Sequence, residues 1–162
     1  MAHKNPRDKN RDMIKLGKLT DYAIVIMGQL LKEGEGASRS AHFLSEKTGV
    51  PEPTVAKVLK ALAQQNLIAA TRGASGGYRF AGAPQDISIA DIISAMDGPI
   101  AIVACVEGSA EICRAESLCH MKGRWEKVND AIRAALESVK LPDMIAPDPA
   151  ADGIFISMKT TG

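Results

Sequence analysis

An apolar stripe between two prolines and a glycine-rich turn constrains the fold of this chain more than any other feature. The stripe follows the i, i+3, i+4, i+7, i+8 spacing of one helix face and consists of Val55, Val58, Leu59, Leu62 and Ala63. The prolines at positions 51 and 53 suit the first turn of a helix and not its interior. Lys57 and Lys60 fall outside the stripe. The pattern predicts a helix over residues 53–65 with one buried face and one basic, exposed face.

Three more helices are predicted around this one. The segment LTDYAIVIMGQLLKE has apolar residues at helical spacing, with Thr20 as its predicted N-cap. The segment SAHFLSEKTG predicts a short second helix that ends at Gly49 as its C-cap. Further along, SIADIISAM begins with Ser88 as N-cap and has Asp91 three residues later, a variant of the capping box. Residues 1–12 are polar and aperiodic, and they are predicted to be a disordered N-terminal extension.

A β-hairpin is predicted directly after the third helix. Two short β-prone runs, near 67–72 and 78–81, flank the glycine-rich turn RGASGG. Arg72 and Arg79 stand on the two arms, and Ser75 lies at the tip. Small residues at a hairpin tip allow backbone amides to approach phosphates closely.

The order of these elements predicts a winged helix-turn-helix domain over residues 13–98, a mainly α fold with a small hairpin wing. In such a domain the third helix enters the major groove with its N-terminal residues at the base edges. Thr54 offers a hydroxyl and a methyl group there, while Lys57 and Lys60 can reach phosphates or guanine. Arg72 can follow the backbone or enter a narrow minor groove. Double-stranded DNA is the predicted partner, and a domain that contacts only proteins is the alternative.

Charge is divided unevenly along the chain. Residues 14–80 carry nine Lys or Arg against five Asp or Glu, whereas residues 81–162 carry seven against twelve. The basic first half suits an anionic partner. No apolar run approaches the roughly 18 residues of a membrane span, and the N-terminus lacks the apolar core of a secretory signal. A cytoplasmic protein without a membrane partner is therefore predicted.

All three cysteines fall in one polar stretch, CVEGSAEICRAESLCH, at the spacing C-x7-C-x5-C. Small buried side chains, a structural zinc site, a thiol redox sensor and an iron–sulfur cluster are four interpretations. Polar neighbours disfavour burial of Cys113 and Cys119. A structural zinc site usually contains two cysteines separated by about two to four residues, and the sequence has no such pair. A cluster is wider than a zinc ion and suits ligands separated by more chain. Cys105, Cys113 and Cys119 are the candidate ligands, and the adjacent His120 is a candidate for the fourth position.

An apolar seam with the a/d spacing of a heptad follows the cysteines. It consists of Met121, Trp125, Val128, Ile132, Ala135 and Val139. The seam predicts a dimerisation helix over 121–141, preceded by a cluster-binding loop over 99–120. Residues 142–162, rich in Pro, Ala and Asp, are predicted to be a flexible C-terminal tail.

Together these features resemble a known family, the iron–sulfur winged-helix repressors typified by IscR, NsrR and RirA. The resemblance covers Met13 to about Met144. It rests on KLTDYA at the start of helix 1, PTVAKVLKALAQQNLI as recognition helix, TRGASGGYRFA as wing and ISIADIISAMDGPI after it. It extends to the three cysteines and to a tryptophan six residues after the last of them. Among these repressors the chain is most similar to the regulators of SUF iron–sulfur assembly operons.

The resemblance implies a homodimer that binds a palindromic operator and carries a [2Fe-2S] or [4Fe-4S] cluster. Lys122 stands where IscR-type proteins have a histidine ligand, whereas Asp21 falls where NsrR-type proteins take an aspartate ligand from the other subunit. Asp21 is therefore the leading candidate for the fourth ligand, ahead of His120. An acidic residue in a first helical turn is also favoured by the helix dipole alone. Ala56 replaces a glutamate that discriminates between DNA site classes in IscR, so that discrimination is not expected here.

The predicted function is a transcriptional regulator, in its simplest form a repressor. It would sense iron–sulfur or iron status through its cluster and control genes of iron–sulfur assembly or iron supply. The alternative is a cluster-free regulator that responds to thiol redox state or nitric oxide through the same cysteines. An enzyme is not predicted, because no histidine or acid constellation accompanies the cysteines and the wing glycines precede a strand instead of a helix.

Overall fold

The computed structural model describes residues 16–73, 76–110, 112–113 and 119–147 of the 162-residue chain. The helices and strands, in chain order, are α1 (Lys18–Lys32), α2 (Ala41–Thr48), α3 (Glu52–Gln64), β1 (Ile68–Thr71), β2 (Gly77–Phe80), α4 (Ile89–Asp97) and α5 (Trp125–Ser138). Single 3₁₀ turns occur at Pro84–Asp86 and Leu141–Met144. This order confirms the predicted fold class. The predicted N-terminal extension and most of the predicted tail lie outside the described residues.

The core lies between α1, α3 and α4, with α2 and the hairpin at its edges. The apolar stripe of α3 faces it, and Val55, Val58, Leu59 and Leu62 have no exposed surface. Ile26 of α1 and Ile92 of α4 are equally buried. Full burial of one such aliphatic side chain contributes about 1.5–3 kcal/mol. The buried stripe therefore fixes how α3 sits on the rest of the domain and which face it leaves exposed.

Two of the predicted helix caps, one at the end of α2 and one at the start of α4, are present in the structure. Gly49 adopts φ +73° at the end of α2, and its N–H donates to the Ser45 carbonyl. At the start of α4, the Ser88 hydroxyl accepts from the Asp91 N–H while the Asp91 carboxylate accepts from the Ser88 N–H. The predicted capping box is therefore confirmed.

Helix α1 begins three residues earlier than predicted. Gly17 is at the N-cap position, and Thr20 lies inside the helix with no exposed surface. The Thr20 hydroxyl donates to Asp97 Oδ2 over 2.6 Å. The prediction of Thr20 as N-cap is wrong, because a carboxylate from the end of α4 takes the hydroxyl that was expected to cap the helix.

The wing is a two-stranded antiparallel hairpin in which Ile68 pairs with Phe80 and Thr71 with Gly77. Backbone hydrogen bonds of 3.0 and 2.8 Å join Tyr78 to Arg39, which ties the wing to the segment before α2. A Cβ atom on Gly77 would lie 2.6 Å from the Arg39 carbonyl oxygen. Only glycine permits this close approach of two backbones.

Packing of the C-terminal segment on the domain continues beyond residue 141, where the predicted flexible tail begins. Ile89 N–H donates to the Val139 carbonyl and Leu141 N–H to the Ile87 carbonyl, both over 2.9 Å. Leu141 is fully buried, and Ile145 covers Gly28 so closely that a Cβ there would be 2.8 Å from Ile145 Cγ2. The first residues of the predicted flexible tail therefore form an anchored turn.

Helix α5 begins at Trp125 and not at 121, because residues 121–124 form turns in which Gly123 has φ +73°. Within the described part of the chain, none of the helices has the length and apolar character of a membrane span.

Candidate DNA-binding face and cysteine loop

Helix α3 presents a basic face opposite its buried stripe. Lys57 and Lys60 are exposed, and Thr54 is half-buried near the N-terminal end. Residues three apart are neighbours on a helix surface, so the two ammonium groups project from the same side. This arrangement can place point charges against phosphates while Thr54 lies near base edges.

The wing carries two further exposed cations, Arg72 and Arg79. The Thr71 side chain joins the two strands where the turn of the wing begins, since its hydroxyl accepts from the Gly77 N–H and donates to the Gly77 carbonyl, both over 3.1 Å. The position of Arg72, directly after the end of β1, is therefore fixed relative to the two strands. Ser75, predicted at the tip, lies outside the described residues.

Arg39 is a cation that is already paired with other side chains of the domain. Its Nε donates to Glu33 Oε2 over 3.0 Å, and its guanidinium lies 5.2 Å from the centre of the Phe43 ring. The hydrogen bond from Arg39 lowers the pKa of the Glu33 carboxyl. The predicted cations of α3 and the wing, and not Arg39, are therefore the candidates for contacts with an anionic partner.

An ion-pair cluster at the junction of α2 and α3 was missed by the sequence analysis. His42 Nδ1 lies 3.0 Å from Glu52 Oε2, and His42 Nε2 lies 3.6 Å from Glu46 Oε1. The hydrogen bond to Glu52 and the charge of Glu46 raise the pKa of the His42 imidazole. The i, i+4 spacing of His42 and Glu46 was the available signal, whereas the contact with Glu52 depends on the turn between the helices.

The three cysteines are unpaired and half-buried. Cys105 lies in a loop whose backbone is hydrogen-bonded to α5 on both sides of it. Ile102 N–H donates to Asn129 Oδ1 over 3.1 Å, and Glu107 N–H donates to Glu126 Oε1 over 2.9 Å. Sequence reasoning missed both contacts, because they join residues 27 and 19 positions apart.

The candidate ligands are not gathered within one described chain. No three His, Cys, Asp or Glu side chains of residues 16–73, 76–110, 112–113 and 119–147 lie together as a metal site. Asp21 is exposed in the first turn of α1, and His120 is exposed beside Cys119. The chemistry of the donor set nevertheless fits an iron–sulfur cluster, since three thiols are free of disulfide bonds and a cluster is held by thiolates.

The predicted apolar seam faces solvent within one chain. Met121 is 47% exposed, Trp125 37% and Val128 44%, and Ala135 is also exposed. The face of α5 next to the seam, one turn after Trp125, contacts the domain through the buried Asn129. A run of exposed large apolar side chains is typical of an interaction surface.

Comparison with known proteins places this architecture in a family. The Rrf2 family, described as iron-dependent transcriptional regulators, matches residues 16–147. The chain belongs to the Rrf2 family. Rrf2 proteins are DNA-binding transcriptional regulators, so the prediction of a regulator and not an enzyme is confirmed.

Individual Rrf2 relatives match along most of their length. An HTH-type regulator of Rhodobacter capsulatus described as rrf2-like is 31% identical over 138 residues, which cover 80% of this chain and 92% of the relative. The structure of CymR, the global cysteine regulator of B. subtilis, matches with a TM-score of 0.63 and 26% identity, covering 83% of this chain and 99% of CymR. The structure of T. potens IscR matches with a TM-score of 0.59 and 26% identity over 92% of this chain and 94% of IscR.

Proposed function

We propose that this Rrf2 protein is a homodimeric repressor whose affinity for a palindromic operator depends on an iron–sulfur cluster, and that it controls genes of iron–sulfur assembly or iron supply. The observation that carries the proposal is the position of the cysteine loop. Three unpaired thiols lie in a segment that is hydrogen-bonded to α5, and α5 exposes an apolar seam on the face next to these contacts. A change at the thiols is therefore close to the surface that would join two subunits.

Cys105, Cys113 and Cys119 would hold the cluster through their thiolates. When bound, a cluster supplies iron–sulfur bonds that cross-link the segments that carry its ligands. Asp21 is our candidate for the fourth ligand, contributed by the partner subunit, because it is exposed in the first turn of α1 while its neighbour Thr20 is fixed to Asp97. His120 is the competing candidate within the same loop.

The seam of α5 supports the dimer. Two copies related by a twofold axis bury the same patch from each side, which suits a single self-complementary helix face. A palindromic operator matches that symmetry, and its half-sites are about 34–36 Å apart, one helical turn of DNA. Lys57 and Lys60 would contact phosphates or guanine from α3, and Arg72 and Arg79 would contact the flanking backbone from the wing.

Control of DNA binding then follows from geometry. Operator affinity depends on the distance between the two α3 helices, and this distance depends on how the α5 helices cross. Because α5 is hydrogen-bonded to the loop that carries Cys105, the arrangement of the loop biases that crossing. Two arrangements with different operator affinity amount to a coupling between sites. Within the family, we propose that the chain acts as a regulator of a SUF iron–sulfur assembly operon.

The ligand assignment is tested by Cys113→Ser, with iron and acid-labile sulfide measured after anaerobic purification. We expect the variant to lose most of its iron and sulfide and its strong, cluster-dependent operator binding. Ile112→Ser is a matched control, because it introduces the same residue at the adjacent position and Ile112 is 88% exposed. Unchanged iron and sulfide in Cys113→Ser would refute the assignment.

A second candidate function is a cluster-free thiol switch. It is favoured by the half-exposed, unpaired state of all three cysteines and by the similarity to CymR, a global cysteine regulator. Exposed thiols oxidise reversibly, and a partner cysteine then resolves the product as a disulfide. A colourless anaerobic preparation whose operator binding responds to peroxide would favour this function over the first.

A further inference from the structure

The side of α5 that faces the domain carries a buried amide where an apolar residue would be expected. Asn129 is 2% exposed and is the buried residue of this helix. Asparagine is a poor helix former, and burying its amide is unfavourable unless both ends are hydrogen-bonded. Asn129 Oδ1 accepts from Ile102 N–H over 3.1 Å, and Asn129 Nδ2 donates to the Ile100 carbonyl over 3.0 Å. Both partners are backbone atoms of the cysteine loop.

Glu126 adds a second contact from the same helix. It lies three residues before Asn129, one turn toward the start of α5, and accepts from Glu107 N–H over 2.9 Å. The two side chains therefore hold the loop backbone at residues 100, 102 and 107. Cys105 lies between the fixed points, next to the buried Val106. Neither Asn129 nor Glu126 needs to touch a ligand to fix where the Cys105 backbone lies.

The same stretch of α5 carries the seam on a neighbouring face. Trp125 and Val128 precede Glu126 and Asn129 by one residue each, and both are exposed. A rotation of α5 that moves the seam must also move the two polar side chains, since a helix turns as a rigid unit. The loop around Cys105 and the seam are therefore linked through a few bonds and not through a long packed path.

We propose that Asn129, with Glu126, is the positioning pair that transmits the arrangement of the Cys105 loop to the orientation of α5. This inference rests on the proposed function, because the loop is taken to be the sensory element. Removing the pair uncouples the loop from the helix. The protein still folds, dimerises and holds its cofactor, but its operator affinity no longer depends on cofactor occupancy.

The experiment compares four variants of the full chain. Asn129→Leu keeps the number and branching of the side-chain heavy atoms but makes no hydrogen bonds, and Glu126→Ala removes the second contact without disturbing a buried site. Glu126→Gln keeps an acceptor oxygen and is the conservative rescue. Asp130→Ala is the matched control, because Asp130 is exposed on α5 and pairs with Arg133 instead of the loop.

Two measurements are made on each variant. Hydrogen exchange of the cluster-free protein reports whether the loop is held, and we expect amide exchange at Ile102 in Asn129→Leu and at Glu107 in Glu126→Ala to accelerate at least tenfold. The ratio of operator dissociation constants between cluster-free and cluster-loaded protein reports coupling. We expect this ratio to fall from tenfold or more in the unsubstituted chain to within twofold of one in both variants, with Glu126→Gln and Asp130→Ala unchanged.

The outcomes separate the inference from the function on which it rests. A purely structural role would weaken operator binding equally in both forms and leave the ratio unchanged, and this result would overturn the inference. Unaltered exchange in both variants would overturn it as well. If the unsubstituted chain binds no iron, the proposed function fails, while faster exchange in the variants still supports the pair as the element that holds the loop. If Asn129→Leu does not fold, the exchange rate and the ratio of operator dissociation constants of Glu126→Ala decide whether the inference stands.

Discussion

The helix-turn-helix unit and the cysteine loop with α5 are stabilised by different means. The first is built around side chains such as Ile26, Leu59 and Leu62 that are fully buried within one chain. The second combines the polar contacts of Asn129 and Glu126 with the packing of Leu136 on the core, and it leaves Trp125 and Val128 exposed. The difference fits the proposed function, in which the DNA-binding domain is complete in one subunit and the cysteine loop is completed by a second subunit and a cluster.

The largest expected effect is a difference in unfolding free energy between substitutions in the two regions. Leu59→Ala removes a side chain with no exposed surface from the core. We expect it to lower the free energy of unfolding by about 2–5 kcal/mol, through lost burial and the cavity left behind. Chemical denaturation measures this change, and Val139→Ala, at a residue 36% exposed, is a control expected to cost far less. Equal losses at the two positions would contradict the contrast.

A smaller effect, on assembly, is expected from Val128→Asp. The side chain is 44% exposed in one chain, so the charge is tolerated in the monomer. In a dimer it would be buried without a partner, and we expect the dimer dissociation constant to rise roughly 100-fold. Sedimentation velocity measures the change, with Lys127→Asp as the adjacent exposed control. A dimer of unchanged strength would remove the seam from the interface.

Lys60, on the basic face of α3, is expected to make one phosphate contact. Lys60→Ala should reduce the slope of log affinity against log salt by about 0.9 and weaken binding to all DNA sequences alike. Lys127→Ala, an exposed lysine on α5, is the control. Operator titrations between 50 and 200 mM salt, roughly the range over which such slopes are resolved, test this. An unaltered slope would exclude Lys60 as a phosphate contact.

The smallest effect is expected at the junction of α2 and α3. The contacts with Glu52 and Glu46 raise the pKa of His42, so the folded protein binds this proton more tightly than the unfolded chain. The stabilisation is fully present below the ordinary histidine pKa of about 6.5 and is lost as pH rises through the raised value. His42→Gln should therefore lower Tm slightly at acidic pH and leave it unchanged at alkaline pH. A Tm difference that does not vary with pH would contradict this assignment.

The sequence was sufficient for elements that local patterns specify. The stripe of α3, the capping box at Ser88 and the left-handed Gly49 each depend on residues a few positions apart. The wing followed from its glycines, and the structure adds the reason, since Gly77 lies against the backbone of Arg39.

Contacts between distant residues could not be predicted. Thr20 was taken for a helix cap because its partner, Asp97, is 77 positions away. The contacts of Asn129 and Glu126 with the loop were missed for the same reason. The cysteines were identified as candidate ligands by spacing and neighbours, but the described residues do not gather them into one site, and the cluster stays a prediction.

The most direct test of the account is a titration of one operator with two forms of the unsubstituted protein. One form is purified without oxygen and assayed for iron and sulfide, and the other is stripped with a chelator. We predict that the first is brown, contains iron and sulfide, and binds the operator at least tenfold more tightly, while both forms remain dimers. Iron at background level together with equal operator affinity of the two forms would contradict the central claim.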